Sequence, residues 1–189
     1  NGSSDDTATV ARVAGATAIS IPRSTVSSAR NIGARLCGSD VIAFIDADVI
    51  LTKEWGATLG AHLQGASPQF SVTGWQYVIR DDGNWLEQYW FARLTDRLLN
   101  GGNLIVGRSA FDLVGGFNPE LRTGEDYDLC RRLMEAGVEY RPDPGFRAIH
   151  MGYPRTVRGF IRREVWHGEG DAQSIRHLVR SPVAILSII

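Results

Sequence analysis

Apolar and polar positions along this chain change period repeatedly, and the changes divide it into elements. Cap-forming residues at 3–7 lead into "TATVARVAG", whose spacing suits a helix that Gly15 ends. The β-branched run "TAISIP" reads as a short strand closed by Pro22. "STVSSARNIGARLCG" has the cap, the small residues and the closing glycine of a second helix. Residues 41–46 are an almost unbroken apolar run, the pattern of a strand covered on both faces in a parallel sheet. A helix is predicted at 53–63, a strand in "FSVTGWQYVI", a helix in "NWLEQYWFARLTDRLL", then a strand and short helix in "GGNLIVGRSAFDLVGGF". "GEDYDLCRRLMEAG" is a well-marked helix and "FRAIHMG" a short strand.

Alternation of this kind predicts an α/β layered fold with a mixed, mostly parallel sheet flanked by helices. The chain shows no internal repeat or low-complexity linker, and its 189 residues suit one sizeable domain. We divide it into a body, 1–155, and a helical tail, 156–189. With 20 basic against 21 acidic residues the chain lacks the basic footprint of a nucleic-acid binder, so no nucleic-acid partner is expected. Cys37 and Cys130 lie in no metal-ligand spacing, which points to reduced thiols and a cytoplasmic setting. No apolar run approaches the ~20 residues that span a bilayer. The chain opens on "NGSSDDT" and closes on the apolar "SPVAILSII", so both ends read as cut from a longer protein. The tail gathers Arg162, Arg163, Trp166 and His167 in "RREVWHG". Basic and aromatic residues so placed suit an amphipathic helix at a headgroup interface, and hence peripheral contact with the cytoplasmic face of the inner membrane.

The strand "VIAFIDADVIL" sets two carboxylates, Asp46 and Asp48, at the end of an apolar run, although an isolated buried charge is costly. In an extended strand the two share a face ~6.6 Å apart. Ligands of open α/β sheets bind at the C-terminal ends of strands. Two hard oxygen donors there can hold Mg²⁺ or Mn²⁺, which recruits phosphate oxygens. The competing reading is structural: either acid can cap the helix near Lys53 or pair with an arginine.

"GEDYDLCRR" supplies a second acidic cluster, Glu125, Asp126 and Asp128, in the first turn of a helix, where acids complement the helix dipole. Helical spacing puts Asp126 on the face of Cys130 and Leu133, towards the body, and turns Asp128 out to Arg131 or Arg132. An inward carboxylate beside a pocket suits a general base. Glycines in "GGN", Gly101 and Gly102 before Asn103, let the backbone approach a donor sugar or diphosphate, though a plain turn explains them nearly as well. His150 ends a strand, either as a structural residue or as a neutral imidazole able to take Mn²⁺.

The blocks "NGSSDDT", "SSARNIGARLCGSDVIAFIDADVIL", "VGRSAFDLVGGFNPEL" and "GEDYDLCRRLMEAG" resemble, in order and approximate spacing, those of the inverting family-2 glycosyltransferases with the Rossmann-related GT-A fold. The resemblance runs to about Gly168. It implies transfer of a sugar from a UDP-, GDP- or dTDP-sugar to a hydroxyl on a glycan or lipid-linked acceptor. It further implies that Asp48 is the closer metal ligand and Asp46 lies nearer the ribose, with His150 as a further ligand. Asp126 becomes the base and Glu125 an acceptor-side helper, while Arg30 and Asn31 contact the nucleotide. "RREVWHG" faintly resembles the R-W element of processive polysaccharide synthases, without its glutamine-containing pattern. Family members begin with a strand and helix ahead of the first block, so part of the nucleotide pocket is expected to be missing here. Sugar nucleotidyl transfer and a non-catalytic scaffold are the alternative readings.

Overall fold

In the computed structural model, residues 2–93 and 98–171 are described. Seven helices of the α type are found among them: α1 (Thr7–Val13), α2 (Val26–Leu36), α3 (Lys53–Leu63), α4 (Trp85–Tyr89), α5 (Arg108–Leu113), α6 (Glu125–Glu135) and α7 (Val157–Asp171). The strands are β1 (Val41–Ile45), β2 (Val49–Leu51), β3 (Ser71–Gly74), β4 (Tyr77–Val78), β5 (Asn103–Gly107), β6 (Glu139–Tyr140) and β7 (Ala148–His150). They form two small sheets, ordered β1-β5-β3-β6 and β2-β7-β4.

The α/β layering matches the pattern of the sequence, while the pairing differs from it. Three of the five described pairings, β1 with β5, β2 with β7 and β3 with β5, are antiparallel, and the other two are parallel. β1 buries one face only: Ile42 and Phe44 enter the core, whereas Ala43 and Ile45 stay exposed. The fully covered strands are β5 and β3, buried at all five and all four positions. "FSVTGWQYVI" divides into two strands because Gly74, at φ 144, turns the chain out of one sheet and into the other. A Cβ there would lie 2.3 Å from the Asn103 carbonyl oxygen. "TAISIP" forms no regular element, and the helix expected from Trp85 ends at Tyr89, followed by a 3₁₀ turn at Phe91–Arg93.

Helices α2, α5 and α6 contribute to the larger core, in which Phe44, Phe111 and Phe117 meet ring to ring at 5.0–5.8 Å over Val72, Leu104, Leu129 and Leu133. Removing such a ring costs about 3–5 kcal/mol. The other core holds Trp55 of α3, Ile105 and Phe146. These packed layers hold fixed the strand ends from which the site is built.

Candidate active site

The first acidic pair lies in a turn. Asp46 N–H donates to Gly102 O (3.1 Å), and Asp46 O accepts from Val49 N–H (3.2 Å), so the chain leaves β1 and enters β2 at once. The extended geometry expected for the pair therefore does not apply, and the two side chains have different partners. Asp46 Oδ1 accepts from Arg30 Nη2 at 2.8 Å, and Arg30 Nη1 donates to Glu125 Oε1 at 2.7 Å. Arg30 is 12% exposed and also lies over the Phe117 ring, 5.3 Å from its centre. Burial opposes its charge, but the two carboxylates more than offset that and raise its pKa above the ordinary value. For Glu125 the balance is reversed. Burial and then the charge of Asp126 raise its pKa in spite of Arg30. Arg30, expected to contact nucleotide, thus ties the two acidic motifs together because both flank its guanidinium.

Asp48 turns the other way. Met151 N–H donates to Asp48 O (2.8 Å), and Val49 pairs with His150 across β2 and β7. This register brings His150 Nε2 to 3.4 Å from Asp48 Oδ2. Burial lowers the His150 pKa, which outweighs the attraction of Asp48 and keeps the imidazole neutral, the form that ligates metals. Gly152 makes room for the pair: a Cβ at that position would stand 2.2 Å from Asp48 Oδ2 and 3.0 Å from His150 Cε1. The trio of Asp46, Asp48 and His150 expected as ligands is not assembled, because among the described residues no group of three or more acidic, imidazole or thiol side chains gathers for a metal. Asp46 is drawn off by Arg30. The remaining pair still fits a divalent ion. Two donors of one octahedral ion, each ~2.1 Å from it, stand ~3 Å apart, and Mg²⁺-type sites commonly take only one or two protein ligands beside phosphate oxygens and water.

Aromatic rings continue the wall from His150. Tyr77 stacks on it at 4.9 Å, Tyr153 meets it edge-on at 4.5 Å, Phe91 stacks on Tyr153 at 4.2 Å, and the Arg163 guanidinium lies 4.8 Å from the centre of the Phe91 ring. Burial, then the nearby Asp46 charge, pushes the Tyr77 phenol upward, so it stays protonated. These residues, with Asn100, line a cavity. Arg163 belongs to α7, so the division at residue 155 does not separate the tail from the site. The basic "RREVWHG" is the sequence signal for this residue; Tyr77 and Tyr153 have none.

The Gly101-Gly102 turn faces both motifs. Gly101 N–H donates to Asp126 Oδ2 (3.0 Å), and Tyr127 N–H donates to Asp126 Oδ1 (2.8 Å). A Cβ on Gly101 would approach Arg30 Nη1 to 2.6 Å, and one on Gly102 would approach Asp46 Oδ2 to 2.2 Å and the Tyr77 hydroxyl to 2.3 Å. Close passage of the backbone, rather than a bare turn, explains the glycines. Asp128 pairs with Arg131 and Arg132 at 3.2 and 2.8 Å. The Cys130 thiol, pushed up to about 12 by burial and by Asp126, remains protonated.

Two residues expected at the nucleotide make structural contacts. Asn103 is fully buried. Its amide donates to the Trp75 and Phe146 carbonyls (2.9 and 2.7 Å), and its oxygen accepts from Trp55 Nε1 (3.0 Å). Asn31 bonds both backbone groups of Phe117, donating to the carbonyl at 2.8 Å and accepting from the N–H at 3.0 Å. Asn103 is thereby closed to a nucleotide, while the half-buried Asn31 amide is held against the Phe117 backbone.

The sequence profile of Glycosyl transferase family 2 matches residues 1–121. The chain belongs to this family. Other comparisons extend the likeness past that span. The "Pre-mycofactocin glycosyltransferase" of Mycobacterium tuberculosis, strains CDC 1551 / Oshkosh and H37Rv, is 27% identical over 178 residues, which are 85% of this chain and 37% of the relative. The family-2 chain thus spans well under half the length of these relatives. Among solved structures, mannosyltransferase PcManGT from Pyrobaculum calidifontis, in complex with GDP-Man and Mn²⁺, aligns with a TM-score of 0.68 at 19% identity, over 93% of this chain and 53% of that one. GalNAc-T7 with UDP, GalNAc and Mn²⁺ aligns with a TM-score of 0.55 at 17% identity, over 88% and 40%. At these identities the structures establish a shared fold, the GT-A fold of glycosyltransferases.

Proposed function

We propose that this family-2 chain carries the catalytic site of an inverting glycosyltransferase that moves a sugar from a UDP-, GDP- or dTDP-sugar to a hydroxyl of a glycan or lipid-linked acceptor, in polysaccharide, glycolipid or other glycoconjugate synthesis. The observation that carries this reading is the Asp48–His150 pair, 3.4 Å apart, with Tyr77 stacked on His150 and close enough to Asp126 for its phenol to feel that charge. The fold neighbours solved with Mn²⁺ and a nucleotide or nucleotide sugar support it by analogy.

Asp48 and the neutral His150 would hold Mn²⁺ or Mg²⁺, whose chemistry when bound is to neutralise the charge gathering on the leaving diphosphate. Asp126 takes the proton of the acceptor hydroxyl as its oxygen bonds to the anomeric carbon and the bond from that carbon to the diphosphate oxygen breaks. Each carboxylate oxygen of Asp126 accepts one backbone N–H, which fixes the group while leaving lone pairs for the proton. Glu125, held by Arg30, lies one residue away and keeps Asp46 and the base helix in register. Arg163 adds a cation to the cavity, suited to a diphosphate oxygen.

Calorimetric titration of UDP, GDP and dTDP with and without Mn²⁺, on this chain and on Asp48→Ala, tests the reading. Metal-dependent binding of one nucleotide, lost in the variant, is expected. Metal-independent binding, or binding unchanged in Asp48→Ala, would overturn the assignment.

A further inference from the structure

Helix α7 presents two unlike faces. Its inner side packs Phe160 against Trp90 and Phe91 (5.1 and 6.1 Å) and sends Arg163 into the cavity, with Glu164 paired to Arg163 at 2.7 Å. Its outer side is uncovered among the described residues. Val157, Ile161 and Val165 recur every fourth residue, so they form one row that drifts only ~40° per step. Together with Trp166 they are 47–57% exposed. Arg158 and Arg162, again four apart and exposed, form a parallel row beside them, and Arg155 stands exposed just ahead of the helix. The acids of α7 are Glu164, which is drawn inward, and Glu169 and Asp171 in its last turn, so the basic stretch is confined to residues 155–163. Among the described residues no helix is long and apolar enough to cross a membrane.

We propose that the outer face of α7 docks on an anionic lipid surface, with the Val-Ile-Val row dipping between headgroups and the arginines meeting lipid phosphates. Charge decides between occupants. In a symmetric self-association each face meets its own copy, and the Arg158–Arg162 row would oppose another basic row. A bilayer offers apolar depth and negative charge side by side, and arginine stems can lie along the apolar rim while their guanidiniums stay at headgroup level. Because the opposite side of the same helix closes the cavity, docking brings that cavity to within about one helix diameter, ~10 Å, of the lipid. The surface goes beyond the transferase reading and does not depend on it.

Co-sedimentation of the full chain with phosphatidylglycerol/phosphatidylcholine vesicles, against phosphatidylcholine alone, tests the face. Binding is expected to the anionic vesicles only and to weaken with salt. The double variant Arg158→Gln with Arg162→Gln should bind roughly 30-fold more weakly, because two cations no longer meet the lipid phosphates. Ile161→Asp should reduce binding as well. All variants keep residues 172–189, so the differences report α7, and unchanged circular dichroism shows that they fold. Equal binding to both vesicle types, or binding unaltered in the variants, would overturn the proposal. So would a sedimentation-velocity dimer that Ile161→Asp dissolves, which would assign the face to a second copy. Nucleotide titration of the same variants is expected to match the parent chain, which separates failure of this surface from failure of the donor site.

Discussion

The two walls of the cleft are built on opposite principles. On one, Arg30 lies between Asp46 and Glu125 at 2.8 and 2.7 Å, so its charges are matched within the protein. On the other, Asp48 is half exposed, His150 Nδ1 is buried without a hydrogen-bond partner among the described residues, and stacked rings separate the polar groups. Internally matched charges give orientation and fold stability, whereas unsatisfied donors give a place for something to bind. The proposed chemistry needs both: a base held still on the first wall and open coordination on the second.

The largest expected effect falls on the base. Asp126→Asn keeps one oxygen for Gly101 N–H, turns its amide nitrogen toward the exposed Tyr127 N–H, and removes the proton acceptor. It should lower kcat by about 10²–10⁴-fold while KM for the nucleotide sugar hardly changes and the melting temperature falls only slightly. Initial-rate kinetics with the donor varied would check it. A KM effect with kcat intact would move Asp126 from catalysis to binding and collapse the distinction between the walls.

Next in size is Arg30→Met, which acts on stability. It strands Glu125 beside Asp126 without a counter-charge, and breaking a buried pair costs about 3–5 kcal/mol. With Asp46 41% exposed and open to water, the lower end, about 3 kcal/mol, is expected from urea unfolding. A loss below about 1 kcal/mol, the level of a surface pair, would mean that the matched wall is not a structural unit.

Residue types at the site are legible from the sequence, but not the way their valences are spent. "DAD" and "GED" mark chemistry because acids at the end of a strand or the start of a helix stand out against apolar neighbours. Asn31 and Asn103 look as available as Arg30, since no local pattern reveals that the Phe117 backbone, the Trp55 indole and the Trp75 and Phe146 carbonyls need partners. Strand alternation predicts a shared face for Asp46 and Asp48, but the alternation stops where Asp46 begins a turn. Tyr153 and Arg163 join His150 and Tyr77 around one cavity, and Tyr77 lies more than seventy residues from them in sequence, a distance over which periodicity carries no information. The layered fold follows from local alternation; strand direction does not, because it depends on which strands meet.

The smallest effect probes the open wall without touching a donor atom. Gly152 lies where a Cβ would sit 2.2 Å from Asp48 Oδ2, so Gly152→Ala must displace that carboxylate or the backbone beside it. Its neighbour Met151 anchors the segment through its N–H to Asp48 O, which favours movement of the side chain over movement of the chain. Groups that position ligating residues typically change metal affinity by 10–100-fold when altered. A single methyl beside a half-exposed acid belongs at the lower end, about 10-fold weaker Mn²⁺-dependent nucleotide binding. Stability should change by under about 1 kcal/mol, as Asp48 can swing toward solvent. Calorimetry in parallel with thermal unfolding reads both quantities. Unaltered binding would show that the space around Asp48 is not reserved for an ion, whereas weaker binding at constant stability would identify the open wall as the one whose geometry serves a ligand.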